Sequence, residues 1–322
     1  MLVLSRRDVE AALDPDRLVD AVAAAMADVS AGYGSFPNRT AADVAAVGGV
    51  LIAMPAHLAG AGALAAKLVA MFPRNAARGL PTHRAIVAAF DPETGTPEAV
   101  MDGEVVTAMR TAACSALSAR LLAREDASVL AVLGTGVQAR AHAEFVRRVR
   151  PIGEVRIAGR DPARASALAD ELGGVVAGSF EEAVSGADIV CACTHSPEPV
   201  VRGGWLRPGT HVTSVGFNPD GREVDAEALA AALVVVESHA AALAPYPAGS
   251  NDLLWPIRDG VFGPDHIHAE IGELVSGARP GRTSPDQITI YKSVGVAAQD
   301  AAAAALVLET ARERGLGTEI EI

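Results

Sequence analysis

The sequence predicts an α/β protein in which one domain has a parallel, doubly wound sheet and a second domain is α+β. Three observations carry this. From Val129 onward, short apolar runs alternate with helical stretches at the spacing of a parallel sheet covered on both faces. Upstream, between about 49 and 101, the chain instead reads as consecutive strands ending in a hairpin. The length, 322 residues, suits about two domains, and 50% apolar with 20% charged residues is enough for real cores.

The elements follow in order. SRRDVEAALDPDRLVDAVAAAMADVSAGYG begins with two amphipathic helices, Asp14 capping the second, Pro15 opening it and Gly32 stopping it. GVLIAMPAHL, GALAAKLVAMF and RAIVAAFDPETGTPEAVMDG are strands, the last turning at Asp91-Pro92-Glu93-Thr94-Gly95. EVVTAMRTAACSALSARLLARED is a long helix, apolar on one face. Then come VLAVLG (strand), VQARAHAEFVRRV (helix), VRIAGR (strand), PARASALADELG (helix) and ADIVCACT (strand), with GTHVTSVG and ALVVVES as further short runs. ITIYKSVGVAAQDAAAAALVLETARERG ends the pattern with a short strand and one long helix. No internal repeat or linker interrupts it. The expected division is a dinucleotide-type domain over 115–290 and a split domain made of 1–114 plus 291–322.

Gly134-Thr135-Gly136-Val137-Gln138-Ala139 is G-x-G-x-x-A between a strand and a helix, the Rossmann fingerprint. Gly134 permits the tight turn, Gly136 lets a pyrophosphate approach the backbone, and Ala139 lets helix and strand pack. Free N–H groups at Val137 and Gln138, aided by the helix dipole, suit an anion. In NAD sites an acidic residue ends the second strand about twenty residues on. Here VRIA ends in Gly159-Arg160-Asp161, with Arg164 a turn later. Arg160 and Arg164 suit a 2′-phosphate and Gly159 leaves room for it, so NADP is the expected cofactor; Asp161 keeps NAD as the alternative.

Bulk properties narrow the partners. Net charge is −12 with no offsetting basic block, which argues against nucleic acid and anionic membrane. The N-terminus lacks a signal-peptide pattern, and the alanine-rich stretch at 300–307 is too short to span a bilayer, so a cytoplasmic location is expected. Cys114, Cys191 and Cys193 make no disulfide framework, and the last two share one face of a strand as small core residues. No metal is expected. His266 and His268, with Asp265 beside them, lie two apart on a segment read as irregular, which is weak ground for a metal site. The other histidines show no shared spacing.

Cations stand out in the N-terminal region. Lys67 interrupts the apolar GALAAKLVAMF, Arg110 lies on the helix before the glycine turn, and Arg39 sits in the loop FPNRT. A lysine in such a strand is costly unless it is paired or reaches water or a bound anion. Two readings stay open: an ammonium that snorkels or meets a carboxylate, and a clamp for a substrate carboxylate.

KLVAMFPRNAARGLPTHRAIVAAFDPETGTPEAVMDGEVVTAMRTAACSALSARLLA, VLGTGVQARAH and GRTSPDQITIYKSVGVAAQD together resemble the ornithine cyclodeaminase/mu-crystallin family, over nearly the whole chain. The resemblance implies a homodimer, with a Rossmann domain and a split domain for substrate binding and dimerisation. It implies hydride exchange at the α-carbon of an amino acid through an imine. By position, Arg39, Lys67 and Arg110 match the family's substrate-carboxylate cations, and Lys67 is placed to polarise the imine. Thr111, Thr194, Val215 and Ser293 fall where members approach the cofactor.

One departure decides the expected reaction. Cyclodeaminases of the family carry an aspartate just before a proline in the loop after the strand HVTS. This chain reads Val215-Gly216-Phe217-Asn218-Pro219-Asp220-Gly221-Arg222-Glu223 there. Without that base, reduction of a ready-made imine asks less of the site than deaminating cyclisation does. The expectation is an NAD(P)H-dependent reductase of a small imino carboxylate. Ornithine cyclodeamination, alanine or opine-type dehydrogenation, and a mere NADP-dependent binding role are the alternatives. His83, in GLPTHRAIV, is the remaining acid–base candidate, though a histidine beside a turn is ordinarily structural.

Overall fold

The structure is a computed structural model that describes residues 1–321. Its N-terminal part runs β1 (Leu2–Leu4), α1 (Arg6–Ala12), α2 (Pro15–Ala31), β2 (Gly34–Ser35), β3 (Thr40–Val44), β4 (Gly49–Leu58), β5 (Ala63–Met71), β6 (His83–Phe90), β7 (Pro97–Asp102) and α3 (Gly103–Leu122). Local chemistry sets the boundaries. Asp14 caps α2 by accepting from Asp16 N and Arg17 N, Pro15 opens it, and Gly32 ends it in the left-handed region at φ 77°. The β6–β7 turn is closed by Asp91, whose carboxylate accepts from Glu93 N and Thr94 N.

The middle of the chain runs β8 (Val129–Leu133), α4 (Val137–Val149), β9 (Glu154–Ala158), α5 (Pro162–Leu172), β10 (Val175–Val176), α6 (Phe180–Val184), β11 (Ile189–Ala192), β12 (His211–Ser214), α7 (Ala226–Ala231), β13 (Leu233–Val236), α8 (His239–Ala242), α9 (Asn251–Arg258), β14 (Ile267–Glu270), α10 (Ile271–Val275) and β15 (Thr289–Lys292). The chain closes with α11 (Ala297–Arg314) and β16 (Thr318–Glu319). Two compact units result: Met1–Arg110 with Val296–Ile322, and Thr111–Gly295. One exchange point falls inside α3 and the other just before α11.

In the first unit the strands form one sheet, β16-β1-β7-β6-β5-β4-β2, with β3 also on β4; β4 to β7 are antiparallel. The two faces differ. Ile52, Met54, Ala56, Ala65, Lys67 and Val87 are buried, and α11 packs on β4 and β5 and against α2. On the other face Leu51, Leu68 and Ile86 are exposed, Leu68 directly opposite Ile86.

The second unit is an all-parallel sheet, β10-β9-β8-β11-β12-β15-β13-β14. Alternate residues feed two cores, Leu133, Val190 and Val212 on one face and Leu130, Val132 and Ile157 on the other, so both faces are covered. The order reverses between β8 and β11, which puts a crevice at the strands' C-terminal ends. Several short strands escaped the pattern reading. β1, β2, β10 and β16 have only two or three residues, too few for a period, and β3 is exposed throughout. The segment with His266 and His268 is not irregular: His268 is in β14, and both rings bond a backbone oxygen, of Leu229 and of Pro280.

Candidate active site

Two groups of residues stand out, one in each unit. In the second unit the turn after β8 behaves as its glycines require. Gly134 has φ 115°, and a Cβ there would lie 2.6 Å from the Cys193 carbonyl oxygen, so only glycine fits. Gly136 is the N-cap of α4 and gives no side-chain cap, unlike Asp161, Ser179, Asp225, Ser238 and Ser250 on other helices of this unit. The first-turn N–H groups of α4 therefore lack a side-chain acceptor, and a Cβ on Gly136 would meet nothing within 4 Å. Gln138 Oε1 is buried with no hydrogen-bond partner among the described residues. A dinucleotide fits these features: open space over an uncapped helix start suits a pyrophosphate, and the orphaned oxygen can take a donor.

A cleft of about 190 Å³ continues from the turn, lined by Thr135, Gly159, Arg160, Arg164, Thr194 and His195 among others. Gly159 lines that cleft and has a further reason to be glycine. A Cβ there would lie 2.6 Å from Thr135 Cγ2, so glycine makes room for Thr135. Asp161 is committed to capping α5, accepting from Ala163 N and Arg164 N, while its Oδ2 lies 3.5 Å from Arg164 Nε. Arg160 is exposed and makes no hydrogen bond or ion pair among the described residues.

Beyond the reversal point, buried carboxylates gather the loop ends. Glu223 accepts from Thr194 N (2.6 Å), Thr194 Oγ1 (2.7 Å), Ser214 Oγ (2.8 Å) and Gly216 N (2.8 Å). Glu237 accepts from Ser293 Oγ, Val294 N and Gly295 N. Lys292 Nζ donates to Ser214 Oγ and Gly216 O and lies 3.0 Å from Asp252 Oδ2. The loop from Phe217 to Gly221 is tied down as well. Asn218 Nδ2 donates to His195 O, Asn251 Nδ2 donates to the carbonyls of Asn218, Pro219 and Gly221, and Phe217 stacks on Tyr246.

In the first unit Lys67 and Arg110 converge on Asp300. Lys67 Nζ donates to Asp300 Oδ1 at 2.9 Å and lies 2.8 Å from Oδ2, while Arg110 Nε donates to Oδ1 at 2.9 Å. Arg110 Nη1 donates to Gln299 Oε1 at 2.5 Å. All three charged side chains are almost fully buried. Burial pushes the Lys67 ammonium down to about 8; Asp300 resists this, and the charges of Arg110 and Arg39 add to it. Burial would raise the Asp300 carboxyl, but Arg110 and Lys67 hold it below the usual carboxylate range. Lys67 and Arg110 thus set two cations against one carboxylate, which leaves a net positive charge in a place where one is costly.

The expected site residues thus fall into separate sets. Lys67 and Arg110 come together on Asp300 in the first unit, and the charge of Arg39, which is half-buried, is felt at Lys67. His83 opens β6 on the same face as Lys67, but opposite Met71, four residues and so roughly 13 Å along the strand. Its Nδ1 bonds Thr82 Oγ1. Gly134, Gly136, Val137, Gln138, Arg160 and Arg164 surround the turn and its cleft; Thr194, Val215 and Ser293 end the strands beyond it, and Thr111 is buried on α3. Asp300, Gln299, Glu223 and Glu237 were missed. Asp300 and Gln299 carry the signal that singled out Lys67, polar groups in an apolar stretch, here AAQDAAAAALV.

Known proteins resemble this chain over most of its length. Ketimine reductase mu-crystallin of Mus musculus is 40% identical over 277 residues, covering 85% of this chain and 84% of its own. The structure of Thermococcus litoralis Delta(1)-pyrroline-2-carboxylate reductase in complex with NADH and L-proline superposes with a TM-score of 0.94 at 38% identity, covering 99% of this chain and 100% of that one. An archaeal alanine dehydrogenase dimer with bound NAD gives 0.92 at 34% identity, covering 100% and 99%. The profile of the ornithine cyclodeaminase/mu-crystallin family matches residues 1–315, and the chain belongs to that family.

Proposed function

We propose that the protein is an NAD(P)H-dependent reductase of a small imino or ketimine carboxylate, giving an L-amino or cyclic amino acid. The observation that carries this reading is the buried group of Lys67, Arg110 and Asp300, in which two cations share one carboxylate and the remaining positive charge suits a second, from the substrate. The relatives named for reduction of cyclic or ketimine carboxylates support it.

Arg110 offers a planar fork for the substrate carboxylate, and Lys67 a point charge. With its pKa near 8, Lys67 is protonated at neutral pH yet able to pass that proton on, which suits it to protonate or polarise an imine nitrogen. Asp300 holds both cations in place. The nicotinamide cofactor, when bound, supplies the hydride. Gly134, Gly136, Val137 and Gln138 would hold its pyrophosphate, and Thr111, Thr194, Val215 and Ser293 its nicotinamide half. His83 is a secondary acid–base candidate.

Arg160 and Arg164 at the end of β9, with Asp161 committed to its helix cap, favour NADP over NAD. The exposed apolar face with Leu51, Leu68 and Ile86 suits a homodimer contact. The loop carrying Phe217 and Asn218 in place of an aspartate disfavours cyclodeamination. The test is NADPH oxidation with Δ1-pyrroline-2-carboxylate and Δ1-piperideine-2-carboxylate, with NADH and with L-ornithine plus NAD alongside. Turnover of an imine that is lost in Lys67→Ala supports the reading; proline and ammonia from ornithine overturn it.

A further inference from the structure

We infer that Glu223 is a positioning residue for hydride transfer: it makes the Thr194 hydroxyl an obligate acceptor and fixes the two loops that follow β11 and β12. The inference rests on the reductase reading, and Glu223 acts through its neighbours.

A carboxylate only accepts hydrogen bonds. Glu223, 2% exposed, receives four: Oε1 takes Thr194 N and Thr194 Oγ1, and Oε2 takes Ser214 Oγ and Gly216 N. Its own backbone is fixed too, since Asp252 Oδ1 accepts from Glu223 N and Val224 N. Lys292, fully buried, pairs with Asp252 and donates to Ser214 Oγ and Gly216 O, in the same two residues whose hydroxyl and N–H Glu223 accepts from. Gly216 belongs to the same knot, because a Cβ there would lie 2.5 Å from Glu223 Cδ.

The consequence concerns polarity. The Thr194 proton is given to Glu223, and Ser196 N uses one Thr194 Oγ1 lone pair at 3.3 Å. What remains on that oxygen can only accept. Thr194 lines the cleft that continues from Gly134 toward Arg160, and it ends a strand whose next neighbour, β12, lies on the side of the reversal where the second half of a dinucleotide runs. The group that matches an outward-facing acceptor there is an N–H donor, and the carboxamide of a nicotinamide carries two. Ser293, whose hydroxyl is given to Glu237, has the same polarity at the end of β15.

Glu223→Gln tests this sharply. Each carboxylate oxygen faces a backbone N–H, of Thr194 or of Gly216, and neither can reverse. In either orientation the amide sets its own N–H2 against one of them. Fluorescence titration should be run with NADPH and, in competition, with 2′-phospho-ADP-ribose, which lacks the nicotinamide. We expect Glu223→Gln and Thr194→Val each to weaken NADPH about tenfold, to leave 2′-phospho-ADP-ribose unchanged, and to be non-additive in the double variant. Unchanged NADPH binding, or equal loss of both ligands, would overturn the inference. If Glu223→Gln does not fold, Thr194→Val carries the same comparison. A wild-type protein that binds NADPH but reduces no imine would count against the reductase reading alone, since the titration still reads Glu223.

Discussion

Lys67 and Asp300 are 233 positions apart in sequence, and each makes sense only beside the other. An ammonium in an apolar strand signals a partner or a ligand, and that much was legible in GALAAKLVAMF. Which carboxylate answers it was not, because the pairing depends on α11 returning across the sheet. The asymmetry of the group gives a stability prediction. Asp300→Ala leaves two buried cations facing each other and should cost about 3–5 kcal/mol, whereas Lys67→Met leaves Asp300 paired with Arg110 and should cost clearly less. Urea denaturation of the two variants checks the order. The Lys67 pKa near 8 also has a signed consequence for rate. Imine reduction should fall as pH rises through about 8, as the ammonium loses its proton, and that limb should vanish in Lys67→Arg, measured as kcat/KM against pH.

The glycine turn shows how far an element can be read from pattern alone. Strand, turn and helix were all legible from Val129 to Val149, because a short unbroken apolar run passing into a period of 3.6 across G-x-G-x-x-A admits few other folds. The separate duties of its glycines were less so. Gly134 is held at φ 115° against the Cys193 carbonyl, while Gly136 faces open space at φ −94°. Gly134→Ala should therefore destabilise the protein by about 1–3 kcal/mol. Gly136→Ala should leave the melting temperature near that of wild type yet weaken NADPH binding, because its methyl enters the space over the helix start. Thermal melts paired with NADPH titration separate the two. Gly159 has a second reason to be glycine, because a Cβ there would meet Thr135, a contact that spacing does not reveal. Arg160→Asp should shift preference from NADPH toward NADH in kcat/KM.

At the scale of the molecule, the parallel sheet and the strand-rich partner unit were legible, since their long elements repeat a period. The short edge strands β1 and β16 were not, because their pairing depends on the chain ends meeting. Two buried histidines link the second unit to pH. His142 bonds Gln138 O and Ser115 Oγ, and His211 bonds Ser118 Oγ and Thr289 Oγ1; burial lowers their pKa values to about 4 and about 3. Both are neutral when folded, whereas the unfolded chain takes up protons near pH 6.5. Stability is thus full above that pH and declines as pH falls toward 4. Between pH 7 and 5 the loss should be about 3–4 kcal/mol, and most of it should disappear in His142→Asn/His211→Asn. Leu68→Asp with Ile86→Lys should convert the proposed dimer to monomer, read by analytical ultracentrifugation.

The central claim is that the buried cations hold an imino carboxylate for reduction. The measurement that tests it most directly is the rate of NADPH oxidation by the purified protein with Δ1-pyrroline-2-carboxylate and Δ1-piperideine-2-carboxylate, for wild type and Lys67→Ala. Turnover of at least one imine, lost by two orders of magnitude or more in the variant (about 3 kcal/mol of transition-state stabilisation), is the predicted result. Equal turnover in the two proteins, or conversion of L-ornithine to proline and ammonia with no imine reduced, would contradict it.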